Sequence, residues 1–130
     1  MTMLGFLIGL ADLSRTFSRV GDEAYLLMAT SGAVVNDTWR HALHESIGGV
    51  AVMVSVLYIY FAGPPSRTPT TWVVVMILLV GHYAPFWIGT PFLPELGAPH
   101  WRAELIHILM AAFPLAGALI ARPVFMTNKS

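Results

Sequence analysis

Five residues of this chain could move a proton or hold a ligand within apolar surroundings: His44, Glu45, His82, Glu104 and His107. Imidazole changes charge nearest to neutral pH and is the commonest metal ligand. A histidine with a carboxylate close by can also act as a general acid–base pair. Glu104 and His107 stand three apart on a helical pattern, as Glu45 stands next to His44. Glu104-x-x-His107 has the spacing of half a di-iron bundle site. Such a site needs a second motif and further carboxylates, and the chain offers one motif, so di-iron is not expected.

The surroundings of these residues are set by composition. Of 130 residues, 56% are apolar and 11% charged, against roughly 25% charged in a soluble domain. Too little polar surface remains to face water, and lipid is the natural solvent for the excess. The formal net charge is zero, which removes the electrostatic case for nucleic acid as a partner. Cysteine is absent, so disulfides, thiolate chemistry and iron–sulfur clusters are excluded. The apolar run 3–10 has no basic segment before it, and Asp12 and Arg15 follow it, so it does not read as a secretory signal.

Gaps between charges locate the elements. Residues 46–66, 68–94 and 105–121 carry no Asp, Glu, Lys or Arg, and a spanning helix needs about 17–25 apolar residues. The expected spans are 39–61, 72–92 and 101–121, all helical because lipid leaves backbone groups no other partner. Gly63, Pro64, Pro65 and Pro69 break the chain after the first; Pro91, Pro94, Gly97 and Pro99 break it after the second. Short links make consecutive spans antiparallel. Trp39, Trp72 and Trp101 open the spans, and Tyr58 and Tyr60 close the first, as an interfacial aromatic belt would. The fold class is thus an all-α integral membrane protein. It is a single membrane domain (1–130), with 39–121 an antiparallel bundle of three transmembrane helices.

Residues 1–36 admit two readings. The runs 3–10 and 25–35 are too short to span, and Asp12, Arg15, Arg19, Asp22 and Glu23 lie between them. The first reading is an N-terminal interfacial helix followed by a short or re-entrant one, with a break at 20–22 beside Gly21. The second is a fourth span that hides Asp12 and Arg15 as an i,i+3 pair. Intramembrane charge is costly, which favours the first. Arg67, Arg122 and Lys129 then weight the side holding the C-terminus against Arg40 and Arg102, placing that terminus in the cytoplasm.

Depth along the spans brings the histidines together. At about 1.5 Å per residue, His44 lies about 7–8 Å below Trp39, His107 about 9 Å below Trp101, and His82 about 15 Å from Phe92. Polar and small residues form stripes on each span: His44, Gly48, Ala51 and Ser55; His82, Pro85 and Gly89; Glu104, His107, Ala111 and Ala118. Small residues beside polar ones mark helix interfaces in membranes, so the stripes are expected to face one another. The alternative places His41, His100, Glu95 and Glu45 among lipid headgroups and makes His82 an interhelical hydrogen-bond partner. Trp39-Arg40 and Trp101-Arg102 each precede a Leu and then a His, which two interfacial anchors would also produce.

The stretch His41-Ala42-Leu43-His44-Glu45-Ser46-Ile47-Gly48, with His82 inside the next span, resembles the cytochrome b membrane-anchor subunits of succinate dehydrogenase. Those are small three-helix proteins whose first span opens Ser-x-x-His-Arg-x-Ser/Thr-Gly. His44 and Gly48 match; His41 and Glu45 replace the family's Ser and Arg, which help to hold its quinone. The resemblance implies a haem-bearing histidine at His82.

Three functions follow as expectations. The first is an anchor or accessory subunit of a membrane electron-transfer complex, with His44, His82 and His107 around haem b or quinone and His82 and His107 as the iron ligands. The second is a membrane enzyme using His44, Glu45 and Glu104 for acid–base catalysis on a lipophilic substrate, of isomerase or cyclase type. The third is a purely structural subunit. The partners expected are membrane lipid and other membrane subunits or further copies of the chain.

Overall fold

A computed structural model describes residues 1–18, 32–93, 97–98 and 100–127, with 32–40 and 42 by backbone alone. The expected break at 20–22, Glu95 and the side chains of Trp39 and Arg40 lie outside the described residues. Helix α1 is Thr2–Ser18, α2 is Gly32–Phe61, α3 is Pro69–Tyr83, α4 is Pro85–Ile88 and α5 is Trp101–Met126, with a 3-10 turn at Pro64–Ser66. The described residues contain no strand.

Two helical stretches are long and apolar enough to cross a membrane: Leu43–Phe61, of 19 residues, and Trp101–Met126, of 26. At about 1.5 Å per residue the shorter one measures about 28 Å. The expected second span is different. Pro85 has no N–H to donate to Gly81, and α3 stops at 15 residues. Ala84 makes the last bond into α3, to the Val80 carbonyl at 2.8 Å, and the four-residue α4 continues beyond it. An unbroken helix over 72–92 is therefore corrected to a helix broken at Ala84.

The ends of the helices have local causes. Gly63 takes φ 97°, a conformation that costs glycine little, and turns the chain after α2. The Arg67 guanidinium donates to the Tyr60 carbonyl at 3.0 Å, satisfying a carbonyl that the end of α2 leaves open. Thr68 and Thr71 form a reciprocal capping box, with Pro69 in the first turn of α3. His100 caps α5: its Nδ1 accepts from the Ala103 N–H at 3.1 Å.

The main contacts form a ring. Helix α1 packs on α5 and α2, and α3 packs on α5 and α2. Successive α1 positions meet falling α5 positions. A Cβ at Gly5 would collide with the Pro114 ring, one at Gly9 would come within 3.6 Å of Met110, and Gly117 lies against Thr2. Helices α1 and α5 are thus antiparallel, locked at a Gly5-x-x-x-Gly9 contact of the kind that lets backbones approach closely. Helix α1 thus packs as a fourth member of the helical bundle, with Thr2, Gly5, Phe6 and Gly9 buried.

The core runs through Phe6, Met53, Val56, Val75, Leu79, Tyr83, Met110, Ala111 and Ala118. This corrects the expected stripe on α2. His44, Gly48, Ala51 and Ser55 are exposed, while Ser46, Gly49, Met53 and Val56 face inward. The cause is α1, whose Leu13 and Gly9 sit against Gly49 and Met53 and draw that side of α2 inward. The direction of α1 also puts Arg15 at the end of the bundle where α5 begins with Arg102, opposite Arg67 and Arg122. The charge bias expected to place the C-terminus in the cytoplasm is thereby cancelled.

Candidate functional site

At the end of the bundle where α5 begins, a cavity of about 340 Å³ lies among α1, α2, α3, α4 and α5. Its polar lining is Asp12, Arg15, Thr16, Glu45, His82, His100 and His107. Local structure positions each. Asp12 and Thr16 continue the face of α1 that begins with Gly5 and Gly9, and the Thr16 hydroxyl donates to the Asp12 carbonyl at 3.4 Å. His82 lies across the bare backbone of Gly49, where a Cβ would come within 3.0 Å of its Cε1. His107 is stacked by Phe86, with ring centroids 4.2 Å apart and planes 21° apart. Its Nδ1 is buried and has no hydrogen-bond partner.

His82 and His107 are therefore brought to one space, as their depths implied, and Glu45 joins them. His44 is not. It is exposed and lines an open groove outside the cavity, between α2 and α3. Glu104 is elsewhere too, as its Oε1 accepts from Trp87 Nε1 at 2.6 Å. Among the described residues, neither Glu45 nor Glu104 makes a hydrogen bond to His44, His82 or His107. The acid–base set His44, Glu45 and Glu104 is thus spread over three surroundings. Asp12 and Arg15 share the cavity but form no ion pair with each other.

Among the described residues no three His, Asp or Glu side chains converge on a point that could hold a metal ion. A haem between two imidazoles needs less: two histidines from facing helices, which His82 and His107 supply. The space between them is the constraint. A cavity of about 340 Å³ is at the small end of ligand sites, which run about 300–1,000 Å³, and Phe86 already covers one face of His107. With Phe86 stacked on His107, the space is small for a porphyrin.

Comparison with protein-family models, curated proteins and solved structures returns no match to this chain. The geometry alone bears on what the site does.

Asp12, Thr16 and Phe86 were not among the expected site residues. Asp12 and Thr16 were legible, because Gly5, Gly9, Asp12 and Thr16 recur at helical spacing. Phe86 was masked by its place in an apolar run. His100 was assigned to the headgroups, and its position as an N-cap is what turns it to the cavity rim.

Proposed function

We propose that this chain is a multi-pass membrane protein in which α1, α2, α3 with α4, and α5 cross the bilayer together. Its role is that of an anchor or accessory subunit of a membrane electron-transfer complex, and its cavity holds the ring of a quinone. Membrane lipid covers its outer face, and further membrane subunits or copies of the chain complete the assembly. The apolar outer surface and the two helices of spanning length support the membrane setting. Helix α3 together with α4 covers the interval Pro69–Ile88, which supports a further crossing with a break at the cavity wall. Irregular backbone at membrane depth is tolerated where it lines such a space.

The observation that carries the ligand is the convergence of Asp12, Arg15, Glu45, His82 and His107 on one cavity, with the His107 ring held by its stack on Phe86. A polar group left without a partner costs about 1–3 kcal/mol, and ring oxygens placed among these side chains give them partners. Asp12, Glu45 and His82 then hold or exchange the protons that accompany quinone reduction. The acid–base reading uses the same cavity, because Glu45 and His82 both line it, and is marked by chemical change in a bound lipophile.

Purification in mild detergent, followed by an absorbance spectrum and mass spectrometry of the solvent extract, tests the proposal. A co-purifying quinone-type ring compound is expected, lost from His107→Ala and from His107→Phe. The phenylalanine variant keeps the stack on Phe86 and so keeps the fold. A Soret band would overturn the quinone reading in favour of haem. An extract with neither would leave the structural reading.

A further inference from the structure

Glu45, His82 and Phe86 line both the cavity and a second, open space of about 640 Å³ between α2 and α3. These side chains form the partition between the two. The second space is a groove along the outside of the bundle, bounded by Val52, Ile77 and Leu78 on its apolar part. Gly48 on α2 and Gly81 on α3 both line it, and a Cβ at either would meet nothing within 4 Å. From Glu45 to Val52 it follows α2 for about 10 Å at about 1.5 Å per residue.

The inner end of the groove holds Glu45 together with His44 and His82, whose rings can donate as well as accept. The Glu45 carboxylate lies there, and so does Gly81, whose carbonyl would take its helical bond from residue 85. That residue is Pro85, which has no N–H and lines the same groove. Carboxylate and carbonyl oxygens accept and cannot donate. A head bearing only acceptor oxygens can pair with the histidines but leaves the carboxylate and the carbonyl without a donor. A hydroxyl-bearing head both donates and accepts, and so can pair with all of them.

We infer that the site takes a hydroxyl-headed, single-ring lipophile from the bilayer through the groove between α2 and α3. The head passes His82 into the cavity and the apolar tail stays in the groove. In terms of the proposed function, on which this rests, the form bound is the reduced quinol. The rival path is an apolar groove of about 430 Å³ between α1 and α2, lined by Leu10, Phe17, Ile47 and Val50. It meets the cavity at Leu13 alone, whereas the α2–α3 groove shares three side chains with it.

The experiment measures saturable binding of radiolabelled decyl hydroquinone, kept reduced, and of its dimethyl ether to the full-length protein in lipid nanodiscs. The ether keeps the ring and tail and loses both donors. It is expected to bind about tenfold more weakly or worse, the value of one or more hydrogen bonds to a charged acceptor. Gly48→Leu and Gly81→Leu should each lose hydroquinone binding by a similar factor with no loss of thermal stability, since both side chains enter open space. Ser14→Phe, which fills the rival groove, should bind as the parent does. Equal binding of the two compounds overturns the hydroxyl preference, on the parent protein and without any variant. Loss in Ser14→Phe with none in the glycine variants overturns the path. In both cases loss of binding in His107→Phe leaves the cavity reading standing. No saturable binding of either compound to the parent overturns both readings.

Discussion

His107 and Tyr83 carry buried polar atoms without partners, and their settings differ. His107 lines a cavity with other polar groups. Tyr83 is 1% exposed and packs among Leu79, Met110 and Ala111 in the apolar core. Its hydroxyl offers nothing to the site, so its removal should relieve a cost. Tyr83→Phe is expected to stabilise the protein by about 1 kcal/mol or more, read as a higher unfolding midpoint in detergent. A fall of similar size would show that the hydroxyl is bonded in the folded protein. The same scale explains which site residues could be read ahead of the structure. His82 and His107 were found by depth along their helices, because rise per residue is fixed by backbone geometry. Facing was harder for His44 and Glu45. Neighbours on a helix point about 100° apart, and the choice between them depended on where α1 would press.

Helix α1 decides the packing of the rest. Its Gly5 and Gly9 let its backbone approach Pro114 and Met53 closely, and its remaining inward side chains, Phe6 and Leu13, fill the gap to α2 and α5. Glycines at different places in this molecule should therefore respond oppositely to the same substitution. Gly5→Ala drives a methyl group into the Pro114 ring and is expected to cost about 1–3 kcal/mol. Gly48→Ala adds a methyl group in open space within α2 and should gain about 0.5–1 kcal/mol from helix propensity alone. Thermal unfolding of the two variants side by side checks this, and equal shifts would mean that α1 does not pack as described. At this scale the ends of α2 and α5 were legible to within a residue on one side each: Phe61 ends α2 and Trp101 begins α5. Turn residues and interfacial tryptophan are local signals. The break at Ala84 is hidden within the charge-free run 68–94, where the missing N–H of Pro85 is its sole local sign. The packing of α1 was legible only as one of two readings, because Asp12 and Arg15 are costly in lipid unless a bundle offers them a cavity.

The directions of the four packed helices make a statement about the whole molecule that does not depend on any one side chain. Helix α1 begins at Thr2 beside Gly117 near the far end of α5, and α3 begins where Trp72 Nε1 donates to the Ala118 carbonyl at 3.0 Å. The start of α1, the α2–α3 turn and the end of α5 therefore share one end of the bundle. Ser18 and the segment after α4 share the other, with the cavity. If all four helices cross the bilayer, both termini lie on one side and the cavity opens near the opposite surface. The chain lacks cysteine, so single-cysteine variants report position without background. Ser66→Cys and Thr127→Cys should be labelled from the same side by a membrane-impermeant maleimide, and Ser18→Cys and Pro91→Cys from the other. Among the arginine side chains described, Arg15 and Arg102 stand at one end and Arg67 and Arg122 at the other, so the assignment of sides rests on this labelling, whereas the pairing is fixed by the packing. Labelling of Ser18→Cys and Ser66→Cys from one side would mean that α1 lies along the membrane, and that the cavity wall formed by Asp12, Leu13 and Thr16 is not built in the bilayer.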